Sequence, residues 1–168
     1  LLEKPLTIDP GQGRELVELA DAWDLVLLVA QNPPYWSHCH RLQQIIAGDL
    51  IGSLEAVSIS WVGNALGVLG REPLPDDMPG VVPPTLFRGD PQANGGGFLT
   101  DGGSHLLTEL IWCTDRRVVE VTCLMDDAAT DVRAVLSMRL DGGATATLSN
   151  TADSQVRGKR HHSHYFGS

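Results

Sequence analysis

NGGGFLTDGGSHLLTELIW, residues 94–112, is the stretch on which the reading of the whole chain turns. Three glycines, Gly95, Gly96 and Gly97, lead into a short apolar run. Asp101, Gly102, Gly103 and His105 follow. From Leu106 the pattern becomes helical, with Leu106, Leu107, Leu110 and Ile111 on one face. This spacing predicts Asp101 at or just before a helix N-terminus, where aspartate is a favoured cap. His105 lies one turn on, so its imidazole and the carboxylate point the same way. Gly102 and Gly103 add no side-chain bulk, which would let a ligand approach the backbone. The helix dipole at that end opposes protonation of His105, so the pair suits proton transfer with a neutral imidazole as base. A plain capping aspartate followed by a solvent-facing histidine fits the same spacing.

Composition narrows the class of protein. The 168 residues are the size of one domain, long enough to bury a core. A net charge of −9 without a basic stripe argues against nucleic-acid binding. The longest apolar run, residues 25–30, is far too short to cross a bilayer, and no charged-then-apolar leader opens the sequence. Membrane association is therefore not expected. Cys39, Cys113 and Cys123 are odd in number and lack CxxC spacing, which fits reduced thiols and a cytoplasmic protein.

Taken in order, Asp9-Pro10 reads as cap and first residue of a helix that continues through Leu16, Val17, Leu19, Ala20 and Trp23. The unbroken LVLLVA at 25–30 predicts a strand buried on both faces of a parallel sheet. Gln31, Asn32 and Tyr35 follow it, where open α/β sheets bind ligands, although Asn and Pro also supply ordinary turn chemistry. Residues 38–47 predict a helix, stopped by Gly48. His38, Cys39 and His40 are consecutive, so they splay on a helix, and no metal site is expected from them. A strand is expected at 54–61, with Leu54 and Ala56 in phase and Val57 out of phase. Residues 62–94 read as a long Gly- and Pro-rich loop. Near its end, Arg88 offers five donors to a polyol oxygen or an acidic group, or else pairs with Asp90.

Strands are expected at 118–125, 131–140, 144–150 and 161–166, with Asp141-Gly142-Gly143 as a hairpin turn. Successive hairpins imply a mostly antiparallel open sheet with helices on one face, an α+β architecture. Arg133, Ser137, Arg139, Thr145 and Thr147 fall on the other face, toward solvent or a partner subunit. His162 and His164 share a strand face, but two ligands do not make a metal site.

Three segments, in this order, carry a family resemblance: EKP at 3–5, IIAGDLIG at 45–52 and FRGDPQANGGGFLTDGGSH at 87–105. From Glu3 onward the chain resembles the Gfo/Idh/MocA oxidoreductases. The resemblance implies a dehydrogenase that uses NAD or NADP and moves hydride between the nicotinamide and a sugar, polyol or related hydroxy compound. It implies His105 as general base, Asp101 as the residue orienting substrate and tuning His105, and Lys4 polarising the reacting oxygen. Glu3, Lys4, Pro5 and Gln31 would contact the cofactor, and Arg88, Asn32, Tyr35 and Thr108 the substrate.

Two positions depart from the pattern: Pro33 and Pro34 stand in a turn where relatives often have arginine, and Thr108 stands where many have an acidic residue. No GxGxxG follows a strand, and Gly11-Gln12-Gly13 lacks both the third glycine and the strand. The expectation is therefore a chain cut at both ends. Residues 1–32 would be the remnant of a nucleotide-binding Rossmann domain, and 33–168 a substrate-binding and oligomerisation domain assembling as a homo-dimer or homo-tetramer through its sheet. The rival expectation is a non-catalytic relative, a ligand-binding or assembly module.

Overall fold

The computed structural model describes residues 1–73 and 86–168. Its first layer is small. Strand β1 (Leu2–Glu3) pairs in parallel with β2 (Val29–Ala30), with Leu2 opposite Val29. Between them runs α1 (Pro10–Ala22), which starts as its sequence requires: Asp9 is extended, its carboxylate accepts from the Gln12 N–H at 2.9 Å, and Pro10 takes the first helical position. The expected buried strand at 25–30 is corrected here. Only Val29 and Ala30 join a ladder, while Leu25, Val26 and Leu28 are exposed, Val26 at 92%. An apolar run becomes a buried parallel strand only when neighbours cover both faces, and β2 has one two-residue neighbour.

A 3₁₀ turn at Pro33–Tyr35 leads into α2 (Ser37–Ala47), which Gly48 ends. Strand β3 (Leu54–Val62) follows, burying Val57 and Ile59. Its pairing shifts register between Leu54 and Ala56, so the phase set by Leu54 is not kept. Val57, which broke the sequence alternation, therefore faces the core. Part of the expected 62–94 loop is ordered as α3 (Pro91–Asn94), capped by the Asp90 carboxylate on the Gln92 N–H. Gly95 stops it at φ +79°, a conformation that favours glycine. Pro75, Pro79, Pro83 and Pro84 lie outside the described residues.

The main layer is a five-stranded sheet over which α4 (Ser104–Thr114) lies. Its remaining strands are β4 (Val118–Met125), β5 (Arg133–Leu140), β6 (Thr145–Thr151) and β7 (Arg160–Gly167). The order is β4-β5-β6-β3-β7, antiparallel throughout except for the β3–β6 pair. The β5–β6 hairpin turns through Gly142 and Gly143, both at positive φ. Strict alternation along β5 buries Ala134, Leu136, Met138 and Leu140 and exposes Arg133, Val135, Ser137 and Arg139.

Leu106 and Leu110 of α4 pack into that core with Ile59, Leu136 and Leu148. α2 lies against α4, where Gln43 Nε2 donates to the Trp112 carbonyl at 3.3 Å. The helical layer therefore covers one sheet face, in an α+β arrangement. The buried stripe of α4 is rotated from the expected one: Leu106, Glu109, Leu110 and Cys113 are buried, while Ile111 is 47% exposed. Among the described residues no helix is long and apolar enough to cross a membrane.

Candidate active site

Between α3 and α4 the chain makes a π-helical turn at Leu99–Gly103. Such turns are rare and gather at functional sites. Asp131 fixes its entrance: the Asp131 carbonyl accepts from the Phe98 N–H and its carboxylate from the Leu99 N–H, both at 2.8 Å. Gly97 is needed because a Cβ there would stand 2.3 Å from the Asp131 backbone nitrogen. Burial pushes the Asp131 carboxyl above its usual range, opposed in part by the backbone donors of Leu99 and Gly97.

The wide turn frees Asp101 from the capping role its spacing predicts. Its side chain makes no cap, and its carboxylate instead accepts from Lys4 Nζ at 2.7 Å and from Arg88 Nε at 3.1 Å. Lys4 Nζ also donates to the Asp101 carbonyl at 2.5 Å, and the Ser104 hydroxyl reaches the same carbonyl at 2.9 Å. Arg88 thus pairs with Asp101, not with Asp90. Burial pushes the Asp101 carboxyl up, but the hydrogen bonds and charges of Lys4 and Arg88 outweigh it and hold the group below the usual carboxylate range. The carboxylate stays ionised, with two cations fixed by it.

His105, at the start of α4, shares a cavity of about 400 Å³ with Asp101. Burial lowers its pKa first, the Lys4 charge lowers it further, and Asp101 opposes them without prevailing. Its Nδ1 is buried and has no hydrogen-bond partner among the described residues. Burial and the Lys4 charge thus favour the neutral ring, the form expected from the helix dipole. Gly102 lines the cavity, as the expected room at this position requires, and neither it nor Gly103 leaves space for a side chain of its own. A Cβ on Gly102 would meet the Phe98 ring at 2.3 Å, and one on Gly103 would meet Leu99 Cδ1 at 2.7 Å.

The other expected residues divide. Asn32 lines the same cavity. Gln31 lies with Tyr35 in a neighbouring cleft, and its Oε1 is buried without a hydrogen-bond partner. Tyr35 is 70% exposed and outside the cavity. The Thr108 hydroxyl is spent on the Ser104 carbonyl at 2.8 Å, and Thr108 does not line the cavity. Glu3 is exposed on β1, whereas Pro5 is half-buried. Residues that sequence reasoning missed complete the walls: Trp61, Phe98, Lys159 and His161. Trp61 and Phe98 pack together with ring centroids 4.7 Å apart. Lys159 and His161 arrive only because β7 pairs with β3, a pairing about a hundred positions apart that no local pattern signals.

The sequence profile of the GFO/IDH/MocA C-terminal domain matches residues 39–164. No curated protein sequence matches the chain significantly. Among solved structures, an inositol dehydrogenase homolog from Azotobacter vinelandii complexed with NAD+ superposes with a TM-score of 0.82 at 21% identity, covering 99% of this chain and 43% of that one. The structure from the same organism with NADH and myo-inositol gives 0.77 at 18% identity, covering 99% and 42%. The WlbA dehydrogenase from Bordetella pertussis, in complex with NADH and UDP-GlcNAcA, gives 0.77 at 15% identity, covering 99% and 49%. The chain spans under half the length of each of these proteins. The profile match over most of the chain, on a fold shared with these dehydrogenases, shows that the chain belongs to the Gfo/Idh/MocA family of oxidoreductases.

Proposed function

We propose that the chain is the substrate-side part of a nicotinamide-dependent dehydrogenase acting on a sugar, polyol or related hydroxy compound. One observation carries the reading: Lys4, 97 positions from Asp101 in sequence, is brought to that carboxylate at the wall of the cavity that holds His105. A cation, an ionised carboxylate and a neutral imidazole suit alcohol oxidation, which needs a proton acceptor and stabilised charge on the oxygen. His105 takes the hydroxyl proton, Lys4 stabilises charge developing on the oxygen, and Asp101 orients both. The cavity volume of about 400 Å³ suits a small molecule. Its aromatic walls match the apolar face of a sugar ring, and Asn32, Asn64 and Lys159 offer polar contacts to hydroxyls. Arg88 reaches the same carboxylate and adds a donor on that side.

The residues at the β1–β2 edge fit the nicotinamide end of NAD or NADP. Gln31 Oε1 is a buried acceptor without a donor, as a carboxamide N–H would require, and Glu3, Lys4 and Pro5 flank it in the expected cofactor segment. The cofactor, when bound, supplies the hydride acceptor. Residues 1–32 then close the nucleotide-binding part, and 33–168 form the substrate-binding and assembly part. Three free thiols fit a cytoplasmic setting.

The full-length protein is expected to reduce NAD+ or NADP+ with at least one member of a panel of cyclic polyols, aldoses and nucleotide-linked sugars, followed by nicotinamide absorbance. Binding of such compounds without any turnover would instead support the ligand-binding or assembly reading.

Assembly through the sheet is part of the same proposal. β4 is an edge strand with Val119, Val121 and Leu124 more than half exposed, and Val135 of β5 is 50% exposed beside Leu124. An apolar edge and outer face of this kind suits a two-fold interface. Light scattering of the full-length protein is expected to give a dimer or tetramer, and Leu124→Glu to shift it toward monomer. A monomer at high concentration removes this part.

A further inference from the structure

A second group of chemistry-bearing side chains lies beside the cavity, and the catalytic reading makes no use of it. His38 and Cys39 in the first turn of α2 and Glu109 of α4 each present one ligand atom, all within 4.8 Å of one another. The splay expected of consecutive residues does hold for His40, whose ring lies edge-on to Trp112. His38 and Cys39 instead both reach Glu109. The Glu109 carboxylate is fully buried, and neither oxygen makes a hydrogen bond among the described residues. His161 Nε2 stands 2.8 Å from Glu109 Oε2, within ion-pair reach when the ring carries a proton there. A buried carboxylate without donors is costly. At 2.8 Å the Glu109 and His161 atoms stand at ion-pair distance, and a cation shared between them would part them to roughly 3.3 Å.

We propose that His38, Cys39 and Glu109, with His161 as fourth ligand, bind a divalent cation of the zinc class. One sulfur, two nitrogens and one oxygen make a borderline-soft donor set that suits zinc and disfavours magnesium or calcium. Tetrahedral bonds of about 2.0–2.3 Å require the His38, Cys39 and Glu109 ligand atoms to close to roughly 3.5 Å, a movement the exposed His38 ring is free to make. Trp36 packs against both histidines, with centroids 5.4 Å from His38 and 6.0 Å from His161, and so orients the two rings. The site joins α2, α4 and β7. Glu109 lies one helical turn from His105, and His161 lines the catalytic cavity, so the cation braces the cavity wall without entering the reaction.

The test uses chelator-stripped full-length protein titrated with Co²⁺, and separately with Zn²⁺ against a chromophoric chelator. One equivalent of Co²⁺ per chain is expected, with a thiolate-to-cobalt charge-transfer band and tetrahedral visible bands. Cys39→Ser is expected to abolish the charge-transfer band. His38→Ala alters an exposed side chain and leaves folding intact, so its expected loss of at least about tenfold in Zn²⁺ affinity reports ligation alone. Glu109→Gln keeps the buried shape and is expected to weaken binding further. The double variant His162→Ala, His164→Ala is expected to leave the titration unchanged. Wild-type protein without the thiolate band overturns the proposal, as does a titration that His38→Ala and Glu109→Gln leave undisturbed. Either result makes Glu109 and His161 a plain internal ion pair. None of these readouts depends on dehydrogenase activity, so failure here leaves the catalytic reading untouched.

Discussion

His105→Ala is expected to lower the proposed dehydrogenase turnover of the full-length protein by at least about a hundredfold, the loss that follows removal of a positioned general base. The wild-type ring begins neutral, because burial and the nearby Lys4 charge both disfavour imidazolium, and the buried Nδ1 has no acceptor for a second proton. A base of lowered pKa accepts a proton only when substrate supplies it, and the rate of alcohol oxidation therefore falls at the acid end as pH drops through that lowered value. Asp101→Asn costs less than His105→Ala. The amide still accepts from Lys4 or Arg88, although the charge that fixes both cations is gone. The measurements are kcat and its pH profile for each variant, with circular dichroism confirming the fold. A His105→Ala enzyme of near-normal kcat sinks the assignment, and an Asp101→Asn loss exceeding that of His105→Ala reverses the proposed order of roles.

Local chemistry explains which features the sequence made legible. Asp9-Pro10 announces a helix start because capping and a fixed φ are properties of the residues themselves. The β5–β6 hairpin is legible for the same reason: two glycines permit its turn, and strict alternation identifies the buried face. The run at 25–30 misled because hydropathy reports what a segment prefers, whereas burial depends on what covers it. Asp101 was expected to cap the helix, and its carboxylate instead accepts from Lys4 and Arg88. An i to i+4 argument assumes regular α-helix, and the π-helical turn redirects the carboxylate toward Lys4 and Arg88. Glu109 carried a signal that was missed. An acidic residue lying on the stripe shared by Leu106, Leu110 and Cys113 is anomalous, and its anomaly marks the cluster with His38, Cys39 and His161. Lys159 and His161, just before and within β7, carried no such signal, since a single lysine and histidine acquire meaning only when the sheet closes.

Lys4→Met is expected to lower turnover about a hundredfold to a thousandfold, the range seen when one donor to a developing oxyanion is lost. The side chain of Lys4 is only 11% exposed, and it donates to both the carbonyl and the carboxylate of Asp101. Its removal leaves that buried carboxylate with Arg88 alone. Breaking one partner of a buried pair destabilises by about 3 kcal/mol, so the thermal midpoint falls as well. Stability alone therefore cannot identify the catalytic share, but the pH profile can. The Lys4 charge is second only to burial in lowering the His105 pKa, and without it that pKa rises. The acid limb of kcat then moves to higher pH in Lys4→Met. A merely structural brace would lower the rate equally at every pH. Lys4→Arg keeps the charge, so it should restore the position of the limb while recovering only part of the rate, because a planar guanidinium cannot reproduce the point donor. If the limb of Lys4→Met stays at the wild-type pH, the charge of Lys4 does not act on His105 and the proposed coupling of the two halves of the site is wrong.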